Sequence, residues 1–332
     1  MHVAVIGLGI GENHVRALVG PSGNSSIEDV TICDVDIRKL NTIKADYDIK
    51  NSTTSYREVL DNPDIDVITL ATPPHLHDEM VTDALESGKH VYCEKPLSTT
   101  FSSSKNLVRL AVEKGLALTV GFNMRHYGEY QKANRLLSKS VLGSIVTVEA
   151  YSHASAHDMD GFRLSEEKAG GGCLIDSGSH RLDLLRWLIG PINEIHCFRE
   201  NLAVSQMEGE DTATVNLRFK SGALGTLNCT WATGSIPRWD EGLDVFGTAG
   251  FIKIRDSDHS LTLKTREKGE MKYSFDTDYE QTFKKSLNIF LKRIRKGEVG
   301  VDRVKTLSSS QAVSGAYRSA DSKEIISFDE SI

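Results

Sequence analysis

Val3-Ala4-Val5-Ile6-Gly7-Leu8-Gly9-Ile10-Gly11 stands at the start of the chain and decides how its first part folds. Four consecutive apolar residues read as a strand covered on both faces, which is the habit of a parallel sheet. The glycines follow where a strand turns into a helix, so that backbone N–H groups and the helix N-terminus can receive a pyrophosphate. The turn departs from the G-x-G-x-x-G spacing, because Gly11 arrives one position early and Glu12 occupies the usual place of the third glycine.

Outward from that turn, short apolar runs alternate with longer amphipathic segments. Strand-like runs lie at 30–33, 67–71, 90–93 and 117–120, and helical patterns at 12–19, 37–47, 56–60, 77–87 and 102–114. Such β-α-β alternation predicts a doubly wound parallel sheet, with Gly88 and Gly115 as helix stops. After Gly121 a helical pattern at 129–138 leads into period-two strands at 145–153, 194–199, 212–219, 223–230, 243–246, 251–254 and 260–264. Helical patterns at 279–296 and 301–320 and a strand-like run at 324–328 complete the chain. The expected class is an α/β Rossmann domain over 1–121 and, over 122–332, an α+β substrate-binding and oligomerisation domain on a large, open, mainly antiparallel sheet.

The chain has 332 residues, enough for two ordinary domains, and a formal net charge of −7 that argues against nucleic acid or an anionic membrane as its partner. A small polar ligand fits better. Five scattered cysteines without a C-x-x-C pair suggest neither a disulfide framework nor a thiolate metal site. No apolar run approaches the ~18 residues that span a bilayer. The expected location is the cytoplasm, with a mature chain starting at Met1.

Asp34 ends the second strand, within the range of ~20 residues beyond the glycines where an acid hydrogen-bonds the adenosine ribose. An acid there repels a 2′-phosphate and favours NAD, while neighbouring Arg38 keeps NADP open; the other reading of Asp34 is a helix cap. Ala71-Thr72-Pro73-Pro74-His75-Leu76-His77 and Glu94-Lys95-Pro96 leave the carboxyl ends of the next strands, where open α/β sheets bind ligands. Lys95 reads either as a positioned ammonium, fixed by the following proline, or as a surface cation. His77 reads as a ligand contact or as a capping or packing residue. Far downstream, a run from Gly170 to Gly172 precedes Asp176, His180 and Asp183, which share a face if the segment is helical. A carboxylate beside an imidazole fixes its tautomer and raises its basicity, as a general base requires. The alternative is an N-cap aspartate with a satisfied core histidine.

With these blocks assembled, the chain resembles over essentially its full length the glucose-fructose oxidoreductase, inositol dehydrogenase and MocA-like oxidoreductases. The likeness rests on the Gly7 turn, Thr72-Pro73, Gly88-Lys89-His90-Val91 through Glu94-Lys95-Pro96, Gly121-Phe122-Asn123, Phe162-Arg163, the Gly170 to His180 block and Ser319-Ala320. It implies NAD-linked oxidation or reduction of a sugar or cyclitol carbinol. Carried onto matching positions, it makes Lys95, Asp176 and His180 catalytic. Gly7, Gly9, Ile10, Gly11, Asp34, Thr72, Pro73, His77, Glu94, Lys95 and Asn123 become cofactor residues. Arg125, Arg163 and Asp183 join the catalytic three at the substrate, and His153, read from its place near the expected cleft and not from the resemblance, is either a substrate contact or a packing residue. Dimers or tetramers formed through the open sheet are implied as well.

Two other classes remain in view. A metal-dependent hydrolase or lyase would use His75, His77, His153, His157 and Asp158, although 145–153 reads as a strand, on which i and i+4 lie over ~10 Å apart. A non-catalytic sensor of NAD or sugar would be expected to lack the lysine or the histidine. Trp231, Trp239 and Tyr151 read as sugar-lining or core aromatics, and Lys292 to Lys296 as a solvated basic helix end suited to the helix dipole.

Overall fold

The computed structural model describes residues 1–20, 27–155, 161–234, 239–276 and 278–328. They form two compact units. The first comprises Met1–Asn123 and Asp278–Thr306, the second Met124–Thr277 and Leu307–Ile332.

In the first unit, β1 (His2–Ile6), β2 (Asp29–Cys33), β3 (Asn51–Thr53), β4 (Ile65–Leu70), β5 (His90–Cys93) and β6 (Leu118–Val120) form a parallel sheet in the order β3-β2-β1-β4-β5-β6. The connecting helices are α1 (Gly11–Val19), α2 (Ile37–Asp46), α3 (Tyr56–Asp61), α4 (His77–Glu86) and α5 (Phe101–Glu113). Val3, Ala4 and Val5 are fully buried, as a strand with helices on both faces demands. Gly88 and Gly115 take positive φ just beyond α4 and α5, the backbone sign that ends a helix at little cost for glycine.

A single boundary at 121/122 misses part of this unit. The helix Tyr279–Arg295 carries Phe283, Leu287, Phe290 and Leu291 on one stripe, and all four are buried in the core of the parallel-sheet unit. Fully burying such a side chain contributes about 1.5–3 kcal/mol, so the stripe needs an apolar partner. It finds one on α1 and β5: the Phe283 ring lies 5.5 Å from His14, and Tyr92 Oη is 2.9 Å from Ser286 Oγ.

The second unit begins with α6 (Gly128–Leu137), β7 (Ile145–Ala154), the one-turn α7 (Glu166–Ala169) and α8 (Ser179–Leu188). It continues through β8 (Ile192–Glu200), β9 (Thr212–Phe219), β10 (Leu224–Thr230), β11 (Trp239–Gly247), β12 (Gly250–Arg255), β13 (Ser260–Thr265) and β14 (Gly269–Ser274). After α9 (Tyr279–Arg295), already placed in the first unit, come α10 (Arg303–Ser322) and β15 (Ile326–Ser327). Nine strands pair in the order β14-β13-β12-β11-β7-β10-β9-β8-β15, all antiparallel except β7 with β10. One face is apolar, with Val148, Ala150, Val215, Leu227, Val245 and Ile252 buried against Leu182 and Leu185 of α8 and Val313 and Ala316 of α10. Among the described residues no helix is long and apolar enough to cross a membrane.

Candidate active site

In the first unit, the amide following each of β1, β4, β5 and β6 extends the ladder by one bond. Gly7 N–H donates to Cys33 O, Ala71 N–H to Ile6 O, Glu94 N–H to Leu70 O and Gly121 N–H to Cys93 O, all at 2.8 Å. The glycine turn, Asp34, Thr72 and Lys95 therefore stand along one carboxyl edge. Gly7 has φ of 86°, and a Cβ there would lie 2.7 Å from Ala71 O, so only glycine fits. Gly11 keeps the close-packing role of a third glycine despite its early position, since its Cβ would lie 3.1 Å from Ala71 Cβ and 3.3 Å from Val5 Cγ1. Between them a Cβ on Gly9 would meet nothing within 4 Å. An open glycine just ahead of the first turn of α1 suits a dinucleotide pyrophosphate.

Asp34 accepts from Leu8 N–H at 2.7 Å and from Asp36 N–H at 2.9 Å. The helix cap is Asp36, which accepts from Arg38 and Lys39 N–H at the start of α2. The capping alternative for Asp34 thus falls away, and its carboxylate lies against the glycine turn where a ribose-binding acid belongs. Arg38 is almost wholly exposed.

Lys95 is half-buried and precedes a cis peptide to Pro96. Side chains from distant segments fix both of its flanks. On one side buried His14 of α1 donates from Nε2 to Glu94 Oε1 at 2.8 Å, while Glu94 Oε2 accepts Lys95 N–H at 3.3 Å. Gly121 makes room for this carboxylate, because a Cβ there would come 2.8 Å from Glu94 Oε1. On the other side fully buried His77 has Nδ1 2.7 Å from Pro96 O and Nε2 2.9 Å from Thr72 O. Glu94, His77 and Asn123, whose amide donates to Thr282 Oγ1 at 3.0 Å, were all expected at the cofactor. The Glu94 carboxylate, both ring nitrogens of His77 and the Asn123 amide nitrogen face other protein groups.

In the second unit, the segment expected to be helical from Asp176 starts earlier, as a π turn over Leu174–Gly178 that leads into α8. Its anchor is Glu210, a residue that sequence reasoning passed over. Glu210 Oε1 accepts from Gly172 N–H at 3.1 Å, Leu174 N–H at 3.0 Å and Tyr317 Oη–H at 2.9 Å. Burial pushes the Glu210 carboxyl pKa up, and these donors together with Arg199 pull it back. The glycine run exists for this approach: a Cβ on Gly171 would lie 2.0 Å from Tyr317 Oη, and one on Gly172 1.9 Å from Glu210 O.

Asp176 is half-buried, and its Oδ2 accepts from Arg163 Nε at 2.8 Å. His180, four residues on, is half-buried in the first turn of α8. Asp183 does not share their exposure. It is 1% exposed and accepts from Arg125 Nε at 2.6 Å, with a second bond from Arg125 Nη2. The two residues expected at the substrate are thus turned on each other, since a buried carboxylate needs a paired cation. His153 is placed by the alternation of β7. Ser152, which donates to Glu241, lies on the α8 side of β7 because Glu241 pairs with Arg181 of α8. Strand alternation sends His153, with Tyr151, to the opposite face.

Among the described residues no group of three His, Cys, Asp or Glu side chains is arranged to hold a metal ion. His157 and Asp158 lie outside the described residues. Trp231 is core, donating from Nε1 to Ser177 Oγ at 3.0 Å, whereas Trp239 is exposed.

Comparison with known proteins agrees with this geometry. Residues 1–122 match the model of an oxidoreductase family with an NAD-binding Rossmann fold, and residues 130–253 match that of the GFO/IDH/MocA C-terminal domain. The chain belongs to the Gfo/Idh/MocA oxidoreductase family. Its Rossmann unit is therefore an NAD site. Among similar members are myo-inositol 2-dehydrogenase of Thermotoga maritima, 27% identical over 90% of this chain and 89% of the relative, and scyllo-inositol 2-dehydrogenase (NAD(+)) of Bacillus subtilis, 26% identical over 90% and 87%. A solved levoglucosan dehydrogenase in complex with NADH shares the fold with a TM-score of 0.91 at 22% identity, over 98% of each chain.

The Glu210 anchor generates a direct test. Glu210→Ala would leave two amides and a phenol without their acceptor, at about 1–3 kcal/mol for each buried group left unpaired. Thermal or urea unfolding is expected to show a loss of roughly 3 kcal/mol or more. Glu210→Gln, which keeps an acceptor oxygen, is expected to lose less than half of that, and equal losses would refute the anchoring role.

Proposed function

We propose that this family member transfers a hydride between NAD and a CH–OH carbon of a cyclitol, sugar or anhydrosugar, with His180 as general base, Asp176 orienting it and Lys95 stabilising the reacting oxygen. One observation carries the reading most of the way. A glycine cradle, an acid at its ribose side and a lysine braced on both flanks stand along the carboxyl edge of a single parallel sheet. The names of the relatives, two inositol dehydrogenases and a levoglucosan dehydrogenase, support the substrate class.

NAD, when bound, supplies the nicotinamide C4 that accepts or returns the hydride. The remaining work falls to the chain's own side chains. Asp34, held on Leu8 N–H, offers an acceptor to ribose hydroxyls and repels a 2′-phosphate, which favours NAD over NADP. His180 takes the hydroxyl proton of the substrate as the carbonyl forms. Asp176 fixes the imidazole tautomer; a carboxylate has about four acceptor sites, so the bond from Arg163 does not exhaust it. The Lys95 ammonium donates to the substrate oxygen and stabilises negative charge as it develops there. Arg163, exposed beside Asp176, is placed to touch substrate hydroxyls.

We also infer pairing of copies into a homodimer or homotetramer through the outer face of the nine-stranded sheet. Phe198, Thr214, Asn228 and Tyr151 follow one another there in register across β8, β9, β10 and β7, with Phe198 64% exposed. Light scattering at micromolar concentration is expected to give a dimer or larger, and a monomer would count against this arrangement.

The catalytic assignment is tested by NADH formation against a panel of inositols, anhydrosugars and aldoses. Lys95→Ala and His180→Ala are each expected to lower turnover on the best substrate by roughly a hundredfold or more, the scale of a general acid–base group. Near-normal turnover in either variant defeats the assignment of that residue. NAD binding without turnover on any of these compounds would point instead to a sensor.

A further inference from the structure

We propose that His77 is the positioning residue for Lys95: its buried Nδ1–H holds the Pro96 carbonyl and so fixes the chain where the lysine leaves β5. The link of this pin to turnover rests on the reading of Lys95 given above; the pin itself rests on geometry. Carbonyl oxygens only accept hydrogen bonds, so each of the ring contacts, 2.7 Å to Pro96 O and 2.9 Å to Thr72 O, calls for an N–H on the ring. A neutral imidazole has one.

The groups around the ring decide where that proton sits. Full burial opposes a second proton and pushes the His77 pKa down, against the Pro96 and Thr72 carbonyls and, more weakly, Glu94 and Asp78, which favour one. Cys93 Sγ lies 3.4 Å from Nδ1 and is uncharged, because burial drives its thiol pKa well above the ordinary value. Near neutral pH the ring therefore carries one proton, and the shorter contact assigns it to Nδ1 and Pro96. Nε2 is then without a proton and makes no hydrogen bond to Thr72 O, so the hold of this side chain at the start of α4 is the Nδ1–H bond to the loop that leaves β5. The ring is fully buried and both nitrogens face protein, which leaves it no direct part in contacting cofactor or substrate.

Asparagine and glutamine separate the two nitrogens. An Asn amide places its donor near the position of Nδ1, and a Gln amide places it near Nε2. Hydrogen exchange over residues 93–98, measured on the full chain with NADH bound, is expected to stay near the unsubstituted rate in His77→Asn and to rise about tenfold or more in His77→Gln. Turnover on the best substrate is expected to follow the same order, falling about tenfold in His77→Gln with NADH affinity, read by fluorescence titration, changed less than about twofold. Recovery in the Asn variant is what a merely space-filling histidine would not give.

Equal exchange in the two variants would overturn the proposal, as would a loss of turnover accounted for by weaker NADH binding. Exchange that rises in His77→Gln while turnover stays unchanged would support the pin and defeat the catalytic assignment of Lys95. The two failures are therefore distinguishable.

Discussion

One steric constraint shapes the carboxyl edge of the parallel sheet, the contact between the Gly7 turn and the end of β4. Ala71 O passes 2.7 Å from where a Cβ of Gly7 would stand, and Ala71 N–H in turn donates to Ile6 O. Because neighbouring parallel strands end in step, the residues that follow them line up: Asp34 beyond β2, Thr72 beyond β4, Lys95 beyond β5. Between β1 and β4 the chain reverses its direction of travel across the sheet, and at such a switch point the helices diverge and leave a crevice. The dinucleotide cradle follows from packing that any side chain on Gly7 would prevent. The one-residue shortening of the turn is absorbed in the same way, since Gly11 still meets Ala71 and Val5 and only the open stretch around Gly9 is shorter.

Buried charge does the positioning in both units. His14 and Glu94 form a pair that ties α1 to the residue before Lys95. Glu210 receives the amides at the start of the helix that carries Asp176 and His180, and Arg125 with Asp183 makes a buried ion pair further along that helix. Each such group costs several kcal/mol to desolvate, and breaking one side of a pair is far more damaging than replacing the whole with apolar residues. Their contribution is therefore less to net stability than to fixing, within the first unit, the segment that bears Lys95 and, within the second, the segment that bears Asp176 and His180.

How much of this was legible in the residues varied with the range of the interaction. Both sheets and most helices could be read, because burial on two faces or on one leaves a plain period in the apolar residues. Asn51–Thr53 and Gly269–Ser274 could not, the first being three polar residues at a sheet edge and the second an edge strand with alternating charged side chains. The apolar stripe of α9 was visible but its destination was not, since nothing local says which unit will cover it. Asp34 and Lys95 could be singled out in the sequence because the motifs that carry them are contiguous. His14 was missed because its partner lies 80 residues away, and Glu210 because one acid among Glu208, Glu210 and Asp211 ahead of a strand gives no sign of the amides it will meet. For Arg125, Asp183 and His153 residue type suggested substrate contact, while the Arg125–Asp183 pairing and the strand parity that sets the side of β7 on which His153 lies are not written in residue type.

The central claim is that a carbinol hydrogen of the substrate moves directly to NAD. Its most direct test is to supply the best substrate with deuterium on the carbinol carbon and to weigh the NADH formed. Direct transfer gives NADH that carries one deuterium per turnover, together with a slowed chemical step. Unlabelled NADH, with the deuterium lost to water, would contradict the account.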